Sequence, residues 1–97
     1  MTAKIVTARR YVTGRISIDV HLDTTKLLVD GVTPDPAWVF HRDLAAPATW
    51  GTMTAAQRNA WANAVRAELV TDCNARLAVL NDEAAGGTAL NIEGQTF

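Results

Sequence analysis

Between Thr54 and Gly86 the chain contains neither glycine nor proline, and alanine is the commonest residue in that interval. Such a stretch has nothing to break a helix and much to favour one, because alanine gives up no side-chain entropy on becoming helical. Thr54 followed three residues later by Gln57 fits a capping box, in which each side chain satisfies a backbone donor left orphaned by the first turn. A helix is therefore expected over residues 54–85, with Thr54 as cap and Gly86-Gly87 as the stop. Asp82 and Glu83 sit at the negative end of the helix dipole, so the last turn frays. The remaining helix of about 28 residues is roughly 42 Å long. That exceeds the diameter of a compact domain of this size, so part of the helix projects beyond its own fold or meets another chain.

The residues around this helix divide into two arcs. Ala62, Leu69, Cys73, Leu77 and Leu80 share one side, with Trp61, Val65 and Val70 at its flanks, which is a core-facing stripe. The opposite arc carries Ala56, Ala60, Ala64, Ala67, Ala75 and Ala78 where charges are usual. Small residues there allow close approach of a second helix or subunit, although alanine on a solvated face is also explained by propensity alone. Asp72 and Arg76, four residues apart, read as a surface ion pair.

The first half has a different period. In residues 15–23, Ile16, Ile18, Val20 and Leu22 alternate with Arg15, Ser17, Asp19, His21 and Asp23, the pattern of a strand with one apolar face. Residues 5–13 are rich in Val, Thr, Ile and Tyr, and Gly14 separates the two runs, so a β-hairpin turns near Thr13-Gly14. Residues 26–29 are short and apolar and lead into Asp30-Gly31, a tight-turn dipeptide. Pro34 and Pro36 make a loop, and residues 37–42 resume strand character. The expected fold class is α+β: a small antiparallel sheet of three to four strands within residues 1–44, packed on the long helix. Residues 1–85 form one domain and residues 86–97 a glycine-hinged arm. In that arm Leu90 and Ile92 alternate weakly and Phe97 follows, a surface costly to leave in water. It folds back on its own sheet, adds to a neighbour's sheet edge, or stays disordered as chain ends commonly do.

Composition narrows the partners. The 97 residues carry nine Lys and Arg against ten Asp and Glu, a formal charge of −1, so the broad positive field that draws proteins onto nucleic acid is missing. Cys73 is the single cysteine, which excludes an intrachain disulfide and a zinc site built from several thiolates. No run approaches the roughly 18 apolar residues of a membrane span. The first residues, MTAKIVTARRYVTG, lack the apolar core of a secretory signal, so a soluble, cytoplasmic protein is expected.

Few residues invite catalysis. His41-Arg42-Asp43-Leu44 spells the opening of a protein-kinase catalytic loop, yet Ala48 stands where that motif requires a metal-holding Asn. The glycine-rich phosphate loop is also absent, and no cofactor or small-molecule substrate is indicated. Asp19, His21 and Asp23 lie on one strand face, and His41 with Asp43 repeats the spacing, which makes Asp19, His21, Asp23 and His41 the candidate metal ligands. The outer two of the first trio are about 13 Å apart along a straight strand, so they converge only if it bends. Cys73 falls on the apolar stripe, where a thiol acts as a small hydrophobe. Trp38, Trp50 and Trp61 read as anchors beneath the connection to the helix, with Trp50 also available as a contact residue.

The connection ATWGTMTAAQRNAWANAVRAEL, residues 48–69, together with the strand-rich first half and the glycine-hinged tail, resembles small virion proteins of tailed bacteriophages. The resemblance contains no motif that transfers a site residue. It implies a protein without enzymatic activity, present in many copies on a capsid, at a head-to-tail junction or in a tail, made in the host cytoplasm and residing in the virion. Its partners are then copies of itself or other structural proteins; the contact residues come from the chain's own pattern and not from the resemblance, namely Ala56, Ala60, Ala64, Ala67, Trp50, Leu90, Ile92 and Phe97. Two other classes remain open at this point: a cytoplasmic protein-binding regulator or inhibitor resembling an antitoxin, and a metal-dependent enzyme.

Overall fold

The structure, a computed structural model, describes residues 3–97. Three antiparallel strands, β1 (Lys4–Arg10), β2 (Arg15–His21) and β3 (Val39–Ala45), form one sheet in the order β1-β2-β3, followed by one helix, α1 (Ala55–Ala84). The fold is α+β, with a tail after the helix, and the chain is elongated at 67 × 31 × 24 Å.

The alternation in β2 decides how the layers meet. Ile16, Ile18, Val20 and Leu22 are buried and form one core with Leu69, Cys73 and Leu80 of the helix. Phe40 and Leu44 of β3 and Trp61, Val65 and Leu77 of α1 pack around them. On the helix this seam follows the row Trp61, Val65, Leu69, Cys73 and Leu77, whose four-residue spacing makes a continuous ridge. The buried stripe is thus turned slightly from the expected one, since Ala62 and Val70 face outward. The helix begins as its sequence dictates: the Thr54 hydroxyl accepts from the Gln57 N–H at 3.1 Å, and the Gln57 side chain accepts from the Thr54 N–H at 2.8 Å. From Asn81 onward every side chain is exposed, so the last turn and the tail lie beyond the core.

Turn chemistry shortens the strands relative to the sequence reading. Residues 11–14 form the hairpin turn, with the Gly14 N–H bonded to the Tyr11 carbonyl and Gly14 at φ +87°, a conformation closed to most side chains. β1 therefore stops at Arg10 instead of continuing to Thr13. It also carries a bulge, since its register shifts between Ile5 and Thr7, leaving Val6 without a partner. Among the described residues no fourth strand forms: the Asp30 carboxylate accepts from Val32 N, Thr33 N and the Thr33 hydroxyl, and beside this tight turn stands a single isolated bridge, Leu27 to Pro34. Ala37 and Trp38, expected in a strand, sit in a 3-10 turn, Pro36–Trp38, capped by the Asp35 carboxylate. β3 in turn runs to Ala45, which puts His41, Arg42, Asp43 and Leu44 inside the strand rather than at its end.

Arg42 shares its face with Phe40 and Leu44 and reaches the helix, where it pairs with Asp72. Among the described residues Asp72 makes this cross-layer pair and not the expected one with Arg76. At the other end of the helix the Arg58 guanidinium donates twice to the Trp50 carbonyl, at 3.1 and 2.6 Å. Trp50 meets Trp61 edge-on at 5.7 Å and takes the Arg10 and Arg58 guanidinium groups near its ring.

Leu22, at 1% exposure just past the end of β2, is the most completely buried side chain of the core among the described residues. Leu22→Ala is expected to lower the free energy of unfolding by about 2–5 kcal/mol in urea titration. Val29→Ala, at the fully exposed loop tip, should change it by less than about 0.5 kcal/mol. Equal effects at the two positions would contradict the placement of the core.

Candidate protein interface

Register places Arg15, Ser17, Asp19, His41 and Asp43 on the face away from the helix, with Arg42 on the other. Asp19 pairs with His41, Ser17 with Asp43 and Arg15 with Ala45. His41 stands between two carboxylates: Nδ1 lies 2.6 Å from Asp19 Oδ1 and Nε2 lies 3.0 Å from Asp43 Oδ2. Carboxylates only accept, so both bonds exist only when the imidazole carries two protons. The Asp19 bond, then the Asp43 bond, holds the His41 pKa above its ordinary value. Reciprocally, the bond from His41, with Arg15 nearby, holds Asp43 below the usual carboxylate range. Arg15 donates to Asp43 at 3.2 Å, closing an exposed network across β2 and β3.

Of the four candidate metal ligands the structure therefore joins Asp19 and His41, and it engages the other two elsewhere. His21 is buried under the segment joining β2 to β3, where its Nε2 donates to the Lys26 carbonyl at 2.7 Å. That bond ties Nε2 to the backbone and leaves only Nδ1 with a lone pair, on a residue that is 4% exposed. Asp23 accepts from the Thr25 N–H at 3.0 Å and the Thr25 hydroxyl at 2.6 Å, bonds that lower its pKa and close a local turn. Among the described residues no group of three or more His, Cys, Asp or Glu is placed to hold one metal ion.

Cys73 is buried in the core seam, and burial, with Asp72 adjacent, pushes its thiol pKa up. That environment suppresses the thiolate a nucleophile needs. No helix among the described residues is long and apolar enough to cross a membrane.

The residues read as contacts fall into three groups. Ala56, Ala60, Ala64 and Ala67 are exposed along the outer face of α1. Leu90, Ile92 and Phe97 are exposed on the tail at 70%, 60% and 124%, and the tail forms turns instead of a strand on its own sheet. Trp50 is half-buried, and its ring is engaged by Arg10, Arg58 and Trp61 of the same chain.

A fourth group escaped the sequence reading: Leu28, Val29 and Val32 stand exposed around the Asp30-Gly31 turn. Their signal was present in the unalternated run LLV beside a tight turn, a pattern that gives a strand no polar face. Two depressions accompany these surfaces. One, open and about 430 Å³, lies beside Gly14, Arg15 and Asp43. The other, about 120 Å³, lies between β1 and α1 over Ile5, Leu69 and Val70.

The His41 network has a definite pH signature. A folded pKa above the unfolded one contributes stability that is full below about pH 6.5 and is lost as pH rises through the folded value. The urea midpoint should fall over that window, and His41→Gln should flatten the slope. The His41 ring should titrate above about 6.5 by NMR, with Asp19→Asn lowering that midpoint; a midpoint at or below it would contradict the network. Added zinc or manganese should leave the melting temperature unchanged; a rise abolished by His21→Ala would contradict the site as described. No protein-family model, curated protein or solved structure matches this chain, so the meaning of these surfaces rests on their own chemistry.

Proposed function

We propose that this chain is a non-enzymatic structural component whose copies associate with one another, and that the assembly it serves is a bacteriophage virion. One observation carries the assembly reading. Among the described residues only seven apolar side chains are buried, Ile16, Ile18, Val20, Leu22, Leu69, Cys73 and Leu80, whereas thirteen large hydrophobic residues are exposed. Single exposed hydrophobics are ordinary on a monomer, but nine of these fall close together along the chain, Ile5 and Val6 on β1, Leu27, Leu28, Val29 and Val32 about the Asp30-Gly31 turn, and Leu90, Ile92 and Phe97 on the tail. Surfaces of that kind are stabilised by protein contact. The virion setting rests on the resemblance of residues 48–69 with the glycine-hinged tail.

The alanine-rich face of α1 supports the same reading, since side chains no larger than a methyl group let a second backbone come close. The test is size exclusion with light scattering, and electron microscopy of the same sample. Oligomers of defined copy number, growing with concentration, are the expected result. A strictly monomeric chain at high concentration would overturn the proposal.

A further inference from the structure

The groove between β1 and α1 combines two properties. Its floor is apolar, made by Ile5, Val20, Leu69, Val70 and Cys73, and its rim is basic, with Lys4 on one side and Arg66 on the other. Neither Lys4 nor Arg66 has an ion-pair partner among the described residues. A volume of about 120 Å³ suits aliphatic side chains rather than a cofactor, whose pockets run to several hundred Å³. Ile5 and Val70 of that floor remain 41% and 44% exposed, so the groove is incompletely filled by its own chain.

One segment of this chain has the complementary chemistry. In Leu90-Asn91-Ile92-Glu93 two aliphatic side chains alternate and an acid follows. When the segment is extended, Leu90 and Ile92 point the same way while Glu93 points to the other side. Charge is segregated along the chain in the same sense. Residues 1–18 carry Lys4, Arg9, Arg10 and Arg15 and no acid, while residues 77–97 carry Asp82, Glu83 and Glu93 and no base. Glu93, like the groove's two cations, has no ion-pair partner among the described residues.

The chain's own segment does not fill the groove: Leu90–Glu93 closes a turn, with the Glu93 N–H bonded to the Leu90 carbonyl at 3.1 Å, and Leu90 and Ile92 stay exposed. Docking opens that turn into an extended segment, and the seat left vacant by a chain's own arm is open to the arm of another copy. We propose that the groove between β1 and α1 receives the Leu90–Glu93 segment of a second copy, with Leu90 and Ile92 on the apolar floor and Glu93 at Lys4 and Arg66. This rests on the assembly reading and names the contact that joins the copies.

The test compares full-length variants by light scattering and sedimentation. Leu90→Asp/Ile92→Asp changes two side chains outside the core and should weaken association about tenfold or more. Lys4→Glu/Arg66→Glu and Glu93→Lys should each weaken it, and mixing those two chains should restore it, because the reversed arm then meets a reversed groove. Circular dichroism checks that each variant keeps its helix, and Glu93→Lys, on the exposed tail, stands as a second probe if the groove variant misfolds. If wild-type oligomers persist unchanged through the arm variant, the docking is overturned and the assembly reading stands. Weakening by the arm variant without weakening by either charge reversal, or without recovery on mixing, overturns the groove as the receptor. A wild-type chain that never associates overturns both.

Discussion

One apolar seam organises the molecule: the alternating side chains of β2 set against the four-residue row of α1. β2 is the central strand, so the side chains it commits to the helix also fix the facing of β1 and β3 through the ladders. Neither layer is sufficient alone. A three-stranded sheet without the helix would expose Ile16, Ile18, Val20 and Leu22, and a single helix in water draws little stability from propensity. The sheet and helix therefore form together or not at all. Because the seam is centred on β2, it covers β1 poorly, and nearly all of β1 is exposed.

Polar contacts then set how the helix lies over that seam. Arg42 to Asp72 ties β3 to the middle of α1, while Arg58 and Arg10 converge on Trp50 near its start. These groups are partly solvated, so each stabilises modestly, but they lie on both sides of the apolar row and resist sliding and rotation of the helix. On the far face His41, between Asp19 and Asp43, binds β2 to β3 with charge rather than burial. The two faces of the sheet are thus fastened by different physics, one dry and one electrostatic, with β3 contributing alternate residues to both.

The parts that were legible in the sequence are those set by local periodicity. The alternation from Ile16 to Leu22 is a single-strand property, and the Thr54–Gln57 box is complete within four residues. What could not be read depended on a second element. Arg76 is the nearer base to Asp72 along the chain, and only the crossing of β3 over α1 brings Arg42 closer. His21 looks like a solvated strand residue until the segment before β3 folds over it and offers the Lys26 carbonyl. The missing fourth strand has the same origin. The Asp30 turn was legible, but its bonds to Val32 and Thr33 hold the flanking residues too tightly to leave a ladder. Of the candidate site, Leu90, Ile92 and the alanine face were visible as patterns. The groove was not, because Ile5 belongs to β1 and Val70 to α1, elements far apart in the sequence.

The exposed edge of β1 explains why a contact surface here would be selective. A bare edge strand invites pairing with any extended chain, and natural sheets counter this with bulges and with lysine or arginine. β1 carries both: a bulge at Val6 interrupts the ladder, and Lys4, Arg9 and Arg10 line the strand. The bulge denies an incoming strand a long register, and the positive charge repels basic segments, including the beginning of another copy of this chain. An acidic, aliphatic segment meets neither obstacle, since it needs only a short apolar seat and is attracted by the same cations. On the proposed docking, the features that protect the edge from indiscriminate pairing would also choose its partner, and the segregation of base and acid between the two ends of the described sequence would favour a head-to-tail encounter of copies over a head-to-head one.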